Sequence, residues 1–291
     1  MNVYPLILAG GEFRSPLEEI VGKPVSLLPV ANASTLVELW GDRIQRAFAS
    51  ETRIAMLFGS SSEFQAMESL GDDPRFTRHI DPRPNRGTGG VIADHWKTLS
   101  ADTRRSDYIL AIDRSACPPI SLDSFASALE GGADVVIGTS DFDRLAGIIA
   151  IKSGILEFVP EVGYFDLKEQ ALRAALDAGL KVIAVPVIRR AIHLKTIGNW
   201  ISMVRFFAEH AGDEDPRMNI RGSCIDPDAD IRTASIIDSV VMKNAVIHDD
   251  VVVARSVVCE GTVIPRGTRV IDSIVGGASI NHLPGSSRGA R

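Results

Sequence analysis

The chain has 291 residues, 45% of them hydrophobic and 23% charged, a balance that supports a buried core without disulfides or metals to staple it. Lys and Arg number 31 against 37 Asp and Glu, a net charge of −6, which argues against a broad nucleic-acid or anionic-membrane surface. Cys117, Cys224 and Cys259 form no CxxC pair and read as reduced thiols, and no run approaches the ~20 apolar residues of a membrane span, so the expected location is the cytoplasm.

Val3–Leu8 is an apolar run that stops at Gly10-Gly11 and reads as a buried first strand. Across 35–48, Leu36, Val37, Trp40, Ile44 and Phe48 share one helical stripe. Ile54–Phe58 is a second strand, closed by Gly59 and three serines. Residues 108–112 and 135–137 are further strands, separated by a helix over 123–129 with Ser121 as its N-cap. Ala171, Leu172, Ala175 and Leu176 mark another helix, closed by Gly179 and followed by the apolar run 182–187. Strands regularly separated by helices predict an α/β fold with a mainly parallel sheet covered on both faces. Ligands of such sheets sit beyond the carboxyl ends of the strands.

Residues 209–222 (EHAGDEDPRMNIRG) are polar and aperiodic, the pattern of a linker. Beyond them Asp238-Ser239-Val240-Val241, Arg255-Ser256-Val257-Val258 and Asp272-Ser273-Ile274-Val275 recur every 17 residues, with hexad-like pieces such as Asn244-Ala245-Val246-Ile247 between. A period close to three hexapeptides is one turn of a triangular parallel β-helix, in which small residues turn the corners and aliphatics stack inward. The expected organisation is an α/β domain over 1–210, a linker over 211–222, a left-handed β-helix of hexapeptide repeats over 223–280 and a flexible tail over 281–291. About three coils fit, near the minimum for stability, so this part is expected to lean on the larger domain or on a second subunit.

The chemistry-bearing residues follow the first strand. Leu8-Ala9-Gly10-Gly11-Glu12-Phe13-Arg14 leads to Gly22-Lys23-Pro24. Paired glycines after a strand let the backbone approach a phosphate chain and aim N–H groups at it. Arg14 and Lys23 add the positive charge that a triphosphate needs. This is not a Walker A loop, because Pro24 follows Lys23; nor is GxGxxG present, since Gly87-Thr88-Gly89-Gly90 fails at Ile92.

The same order of motifs continues through Asn85 to Gly90, Ile109 to Asp113, Ala146-Gly147-Ile148-Ile149 with Leu156 to Pro160, Phe165 to Glu169, and Thr196 to Trp200. Taken together it resembles the sugar-phosphate nucleotidylyltransferase family, whose opening pattern is LAGGxGTRLxPLTxxxPKPLLPV, and in its middle the mannose-1-phosphate guanylyltransferases. The resemblance spans nearly the whole chain. It implies a Rossmann-like nucleotidyltransferase sheet followed by a β-helix, and a Mg²⁺-dependent reaction in which an NTP and a sugar 1-phosphate give an NDP-sugar and pyrophosphate. It assigns Leu8, Ala9, Gly10, Gly11, Gly87 and Thr88 to nucleotide binding, Arg14 and Lys23 to the catalytic stabilisation of pyrophosphate, and Asp113 to the metal.

Departures from the pattern are specific. Phe13 alone stands where the family has Gly-Thr before its arginine, and Gly22 where it has Pro. Only six residues separate Thr139 from Ala146, where the family carries a longer segment with the lysine that holds the sugar phosphate; Lys152, Lys168 and Lys195 are the substitutes on offer. The second metal aspartate aligns with Thr196. These departures define an alternative, a catalytically impaired paralogue that binds nucleotide or NDP-sugar and regulates an active partner. Expected partners are therefore the NTP and sugar 1-phosphate, with a second copy of the chain or an active paralogue in the assembly. His95 and His193 read as surface or packing residues and Cys117 as a buried thiol.

Overall fold

The computed structural model describes residues 1–10, 15–31, 34–49, 51–59, 73–83, 85–210, 222–232 and 234–276, with the backbone of Ser279–His282. Gly11, Arg14, nearly all of the expected linker and most of the expected tail lie outside the described residues. The chain forms two compact units, one of Met1–Phe13 with Val37–His193, the other of Arg14–Leu36 with Leu194–Arg291.

Along the chain run β1 (Val3–Leu8), α1 (Pro16–Val21), β2 (Pro29–Ala31), β3 (Ser34–Thr35), α2 (Leu36–Ala47), β4 (Ile54–Phe58) and β5 (Phe76–Ile80). Then follow α3 (Gly87–Thr98), β6 (Tyr108–Asp113), α4 (Asp123–Glu130), β7 (Val135–Ser140), β8 (Leu145–Lys152), α5 (Leu172–Asp177), β9 (Val182–Ile188) and α6 (Ile197–His210).

The first unit is built on a seven-stranded sheet of order β5-β4-β1-β6-β8-β7-β9. β8 runs antiparallel to β6 and β7, while β5-β4, β4-β1, β1-β6 and β7-β9 pair in parallel. The fold is thus mixed α/β with a large, mainly parallel sheet. Alternation along the strands explains why both faces are covered. Leu6, Leu57, Ala111 and Ile149 pack with Ile92 and Ala93 of α3 and with Phe165, Leu167 and Ala175 on one face. Their neighbours Ile7, Met56, Phe58, Ile112 and Ile148, which point the other way, are buried as well.

All five apolar runs read as strands fall in this sheet. Two of its strands lie outside those runs. β5 (FTRHI) is an edge strand with a half-exposed, polar-interrupted pattern. β8 is a continuous apolar run that enters by a tight turn from β7 instead of by a helix. Ser121 does cap the helix near 123, one residue earlier than the helix boundary implies: its Oγ accepts from Asp123 N–H at 3.0 Å. The helix read at 171–176 is preceded by one π-helical turn, Leu167–Ala171, entered through Asp166, whose carboxylate accepts from the N–H groups of Lys168 and Glu169.

In the second unit, Ser15 and Glu18 form a reciprocal capping box at the start of α1. α6 packs on β2, and Trp200, fully buried, donates its indole N–H to Pro29 O at 2.8 Å. The rest of this unit is a stack of short strands in three sheets, parallel except for the closing antiparallel pair of Ser273–Gly276 with Ser279–His282, a β-helix-like region. Val240 pairs with Val257 and Val257 with Ile274, a step of 17 residues, as read from the sequence. Val241, Val258 and Val275 stack inside, beside Ile247, Val253, Ile264 and Val270. Asp238, Arg255 and Asp272 turn one corner in left-handed backbone conformation. Just after that corner a ladder of buried serines runs along the stack, Ser239 N–H donating to Ser223 Oγ, Ser256 N–H to Ser239 Oγ and Ser273 N–H to Ser256 Oγ, each at 3.0–3.1 Å. Among the described residues no helix is long and apolar enough to cross a membrane.

Candidate functional site

The carboxyl ends of β1, β4, β5 and β6 open on two adjoining cavities. The larger, about 440 Å³, is lined by Leu8, Gly10, Gly59, Asp81, Gly87 and Tyr164 among others. The smaller, about 180 Å³, is lined by Asp113, Arg114, Gly147 and Lys168. Leu8, Gly10 and Thr88 line both and form the wall between them.

Sheet register sets the central geometry. Leu8 is paired directly with Asp113 across β1 and β6, so the glycine turn leaves the sheet beside the carboxylate. The turn is close-packed as its glycine requires: a Cβ on Gly10 would overlap the backbone of Gly59. Its N–H groups are used differently from the expectation. Ala9 and Gly10 both donate to Leu57 O at 2.9 Å, and Ala9 O accepts from Arg114 Nη1 at 3.2 Å. The described part of the turn is therefore locked to β4 and shapes the cavity by close approach, while its amides are spent on the sheet.

Asp113 is held by its own loop. Its Oδ1 accepts from Ser115 N–H at 2.9 Å and from Ser115 Oγ–H at 2.8 Å. His193 Nδ1 lies 3.6 Å from Oδ2 and 3.4 Å from Ser115 Oγ, and its Nε2 lies 3.4 Å from Leu145 O. Burial works to raise the Asp113 carboxyl, but the two Ser115 hydrogen bonds and the nearby His193 and Lys168 outweigh it and hold the group below the usual carboxylate range. Asp113 is thus an anion at neutral pH. Gly147 permits this crowding: its φ is +79°, and a Cβ there would meet the Ala116 side chain at 2.5 Å and His193 Cε1 at 3.0 Å.

On the other side, Gly87 (φ +72°) starts α3 with its Cα against the Phe165 backbone, where a Cβ would meet Phe165 O at 2.7 Å. Phe165 N–H donates to Arg86 O, and Phe165 O accepts from Gly90 N–H. Thr88 Oγ1 donates to Asp166 Oδ2 at 3.0 Å and accepts from Leu167 N–H at 2.9 Å. The Gly87 to Gly90 segment is therefore a tight helix entry braced on 165–167, with the face of Gly87 and Thr88 turned to the cavities. Buried Arg86 secures the neighbouring loop through Asp94 Oδ2 at 3.0 Å and Pro160 O at 2.6 Å, which fixes the approach to Tyr164. Asp81, at the end of β5, caps Arg83 N–H at 2.9 Å, and burial pushes its carboxyl above the usual range.

Neither a scan of family models nor a search of curated proteins returns a match.

Of the residues singled out from the sequence, Leu8, Gly10, Gly87, Thr88 and Asp113 gather around the two cavities, with Ala9 buried just behind. Lys23 belongs to the second unit, where its ammonium pairs with Glu260. Among the three substitute lysines, Lys168 lines the Asp113 cavity. Lys152 is paired with Asp134 at 2.7 Å, beside Tyr108 at the opposite end of β6. Thr196 caps α6, its Oγ1 accepting from Asn199 N–H at 3.2 Å. Ser115, Arg114 and His193 carry no motif that marks them in sequence. The one local signal is the Asp-x-Ser spacing at a strand end, which favours a side-chain-to-backbone turn. His193 reaches the site through a bridge between Ala116 and His193, which no short-range pattern encodes.

Among the described residues no group of three or more His, Cys, Asp or Glu side chains is arranged to hold a metal. Asp113 nonetheless fits Mg²⁺ by donor chemistry, because this ion takes one or two carboxylates and completes its shell with water and phosphate oxygens.

Proposed function

We propose that the protein is a sugar-1-phosphate nucleotidylyltransferase that forms an NDP-sugar and pyrophosphate from an NTP. The observation that carries the proposal is the register of Leu8 against Asp113: a glycine turn and an ionised carboxylate share one wall at the carboxyl edge of a parallel sheet. The order of motifs in the sequence supports the same reading. On it, the sheet is the Rossmann-like nucleotidyltransferase core, the stacked strands form a left-handed β-helix, and the protein works in the cytoplasm with a second copy or an active paralogue.

In this reading the base and ribose occupy the larger cavity, between Gly10, Gly87, Thr88 and Tyr164, and the phosphates run toward Asp113. A phosphate oxygen of the sugar 1-phosphate forms a bond to the α-phosphorus as the bond to the β-phosphate oxygen breaks and pyrophosphate leaves. Such a step asks the protein for alignment and charge more than for covalent chemistry. Lys168 and Arg114 supply charge on the wall of the Asp113 cavity. Asp113 would hold Mg²⁺, which when bound neutralises phosphate charge. Ser115 keeps Asp113 ionised and aimed.

A second reading, a non-catalytic relative that binds nucleotide or NDP-sugar and regulates a partner, is favoured by two observations. Thr196 is engaged as a helix cap, and the Ala9 and Gly10 amides are engaged by Leu57. Pyrophosphate release with Mg²⁺ across a panel of NTPs and sugar 1-phosphates separates the two. The enzyme reading expects turnover that Asp113→Asn lowers at least about 100-fold. Nucleotide-dependent thermal stabilisation without turnover selects the regulator. Turnover that survives Asp113→Asn contradicts the assignment of the site.

A further inference from the structure

β7 and β8 are joined by the turn 141–144, which Ser140 builds. Ser140 Oγ accepts from Phe142 N–H at 3.3 Å and Arg144 N–H at 3.2 Å, and Ser140 N–H donates to Arg144 O at 2.8 Å. Asp143 sits in the turn with φ 54°. The result presents a phenyl ring to solvent, Phe142 being 71% exposed. The segment after β9 folds alongside, so that Phe142, Asp143, Arg144, Arg190 and His193 line an open cavity of about 740 Å³. His193 also touches the Asp113 site, so this cavity adjoins the proposed reaction centre.

Neither Arg144 nor Arg190 makes an ion pair among the described residues. Two guanidinium groups that line one cavity and form no ion pair match a phosphate, which arginine binds through paired N–H donors. A bare inorganic anion, however, would also face the Asp143 carboxylate. That carboxylate suits a ligand with hydroxyl groups to donate, and the phenyl ring suits the C–H face of a sugar. We propose that this cavity binds the phosphorylated sugar, with Arg144 and Arg190 on its phosphate and Asp143 and Phe142 on its ring. The proposal rests on the nucleotidyl-transfer reading.

Isothermal titration of the full chain tests it, using α-D-mannose 1-phosphate, α-D-glucose 1-phosphate, the free hexoses and inorganic phosphate as probes, with Mg·NTP titrated into the same proteins. Arg144→Ala and Arg190→Ala should each weaken the preferred sugar phosphate by about tenfold, and the double variant by more, with NTP affinity within about twofold of the original. Phe142→Ala should weaken the sugar phosphate while leaving inorganic phosphate unchanged. Sugar-phosphate affinity untouched in the double variant overturns the proposal, as does inorganic phosphate binding as tightly as the sugar phosphate. So does a chain that binds NTP and no sugar phosphate. Arginine-dependent binding of sugar phosphate in a chain that binds no NTP would support the cavity assignment and overturn nucleotidyl transfer.

Discussion

Asp113 sits under two opposing influences, burial against it and hydrogen bonds for it, and the hydrogen bonds win. Because the folded carboxyl titrates below the ordinary range, a function that needs it ionised persists to acid pH and fails only as pH falls through the lowered value. Ser115→Ala removes the Oγ donor while keeping the backbone one. The acid limb of the Mg²⁺-dependent kcat/KM profile should then move to higher pH with little change at neutrality; an unmoved limb would show that Ser115 does not set the ionisation. His95 shows the opposite case. It is 2% exposed, its Nε2 lies 2.8 Å from Tyr4 Oη, and burial, assisted by nearby His79, pushes its imidazole down to about 4. A histidine held neutral leaves stability intact above its unfolded value near 6.5, and that stability is lost as pH falls toward 4, because the unfolded chain takes up a proton that the fold refuses. The loss should be about 2–3 kcal/mol. Thermal melts from pH 7 to pH 4 check it: His95→Gln should show a shallower decline than the original chain, and parallel declines would contradict this account.

At the scale of elements, the helix entry at Gly87 is a tight joint next to the site. Gly87→Ala places a β-carbon against Phe165 O at a positive φ, so it should cost about 1–3 kcal/mol in urea unfolding and loosen the 165–167 segment that lines the cavity. A cost below about 0.5 kcal/mol would mean that the joint gives way freely. Elements were legible where one signal dominated. The buried strands of the parallel sheet are unbroken apolar runs, and the 17-residue step of the stacked strands follows from Asp-Ser-Val-Val, Arg-Ser-Val-Val and Asp-Ser-Ile-Val, whose serines form the ladder. β5 was not legible because an edge strand buries half its side chains and tolerates Thr77, Arg78 and His79. In the site, glycine turns and a strand-end aspartate could be read locally, and they do meet. Ser115 beneath Asp113, His193 beside it and the Arg144–Arg190 cavity depend on which loops the sheet order brings together, and Ala116 meets His193 across a long stretch of sequence.

At the scale of the molecule, the opening motif is shared between two compact units: its strand and first glycine belong to one, Lys23 and Pro24 to the other. A chain of net charge −6 must hold a polyphosphate through a local gathering of cations, and Arg114 and Lys168 at the carboxyl edge provide one. On the proposed function, nucleotide occupies this edge. Hydrogen exchange of the full chain, with and without Mg·NTP, tests it most directly, because protection reports where ligand and rigidity arrive. Slowed exchange is expected at 85–91, 113–116 and 164–168, with the stacked strands after 222 unchanged. Slowed exchange confined to other segments, or none at saturating nucleotide, would contradict it.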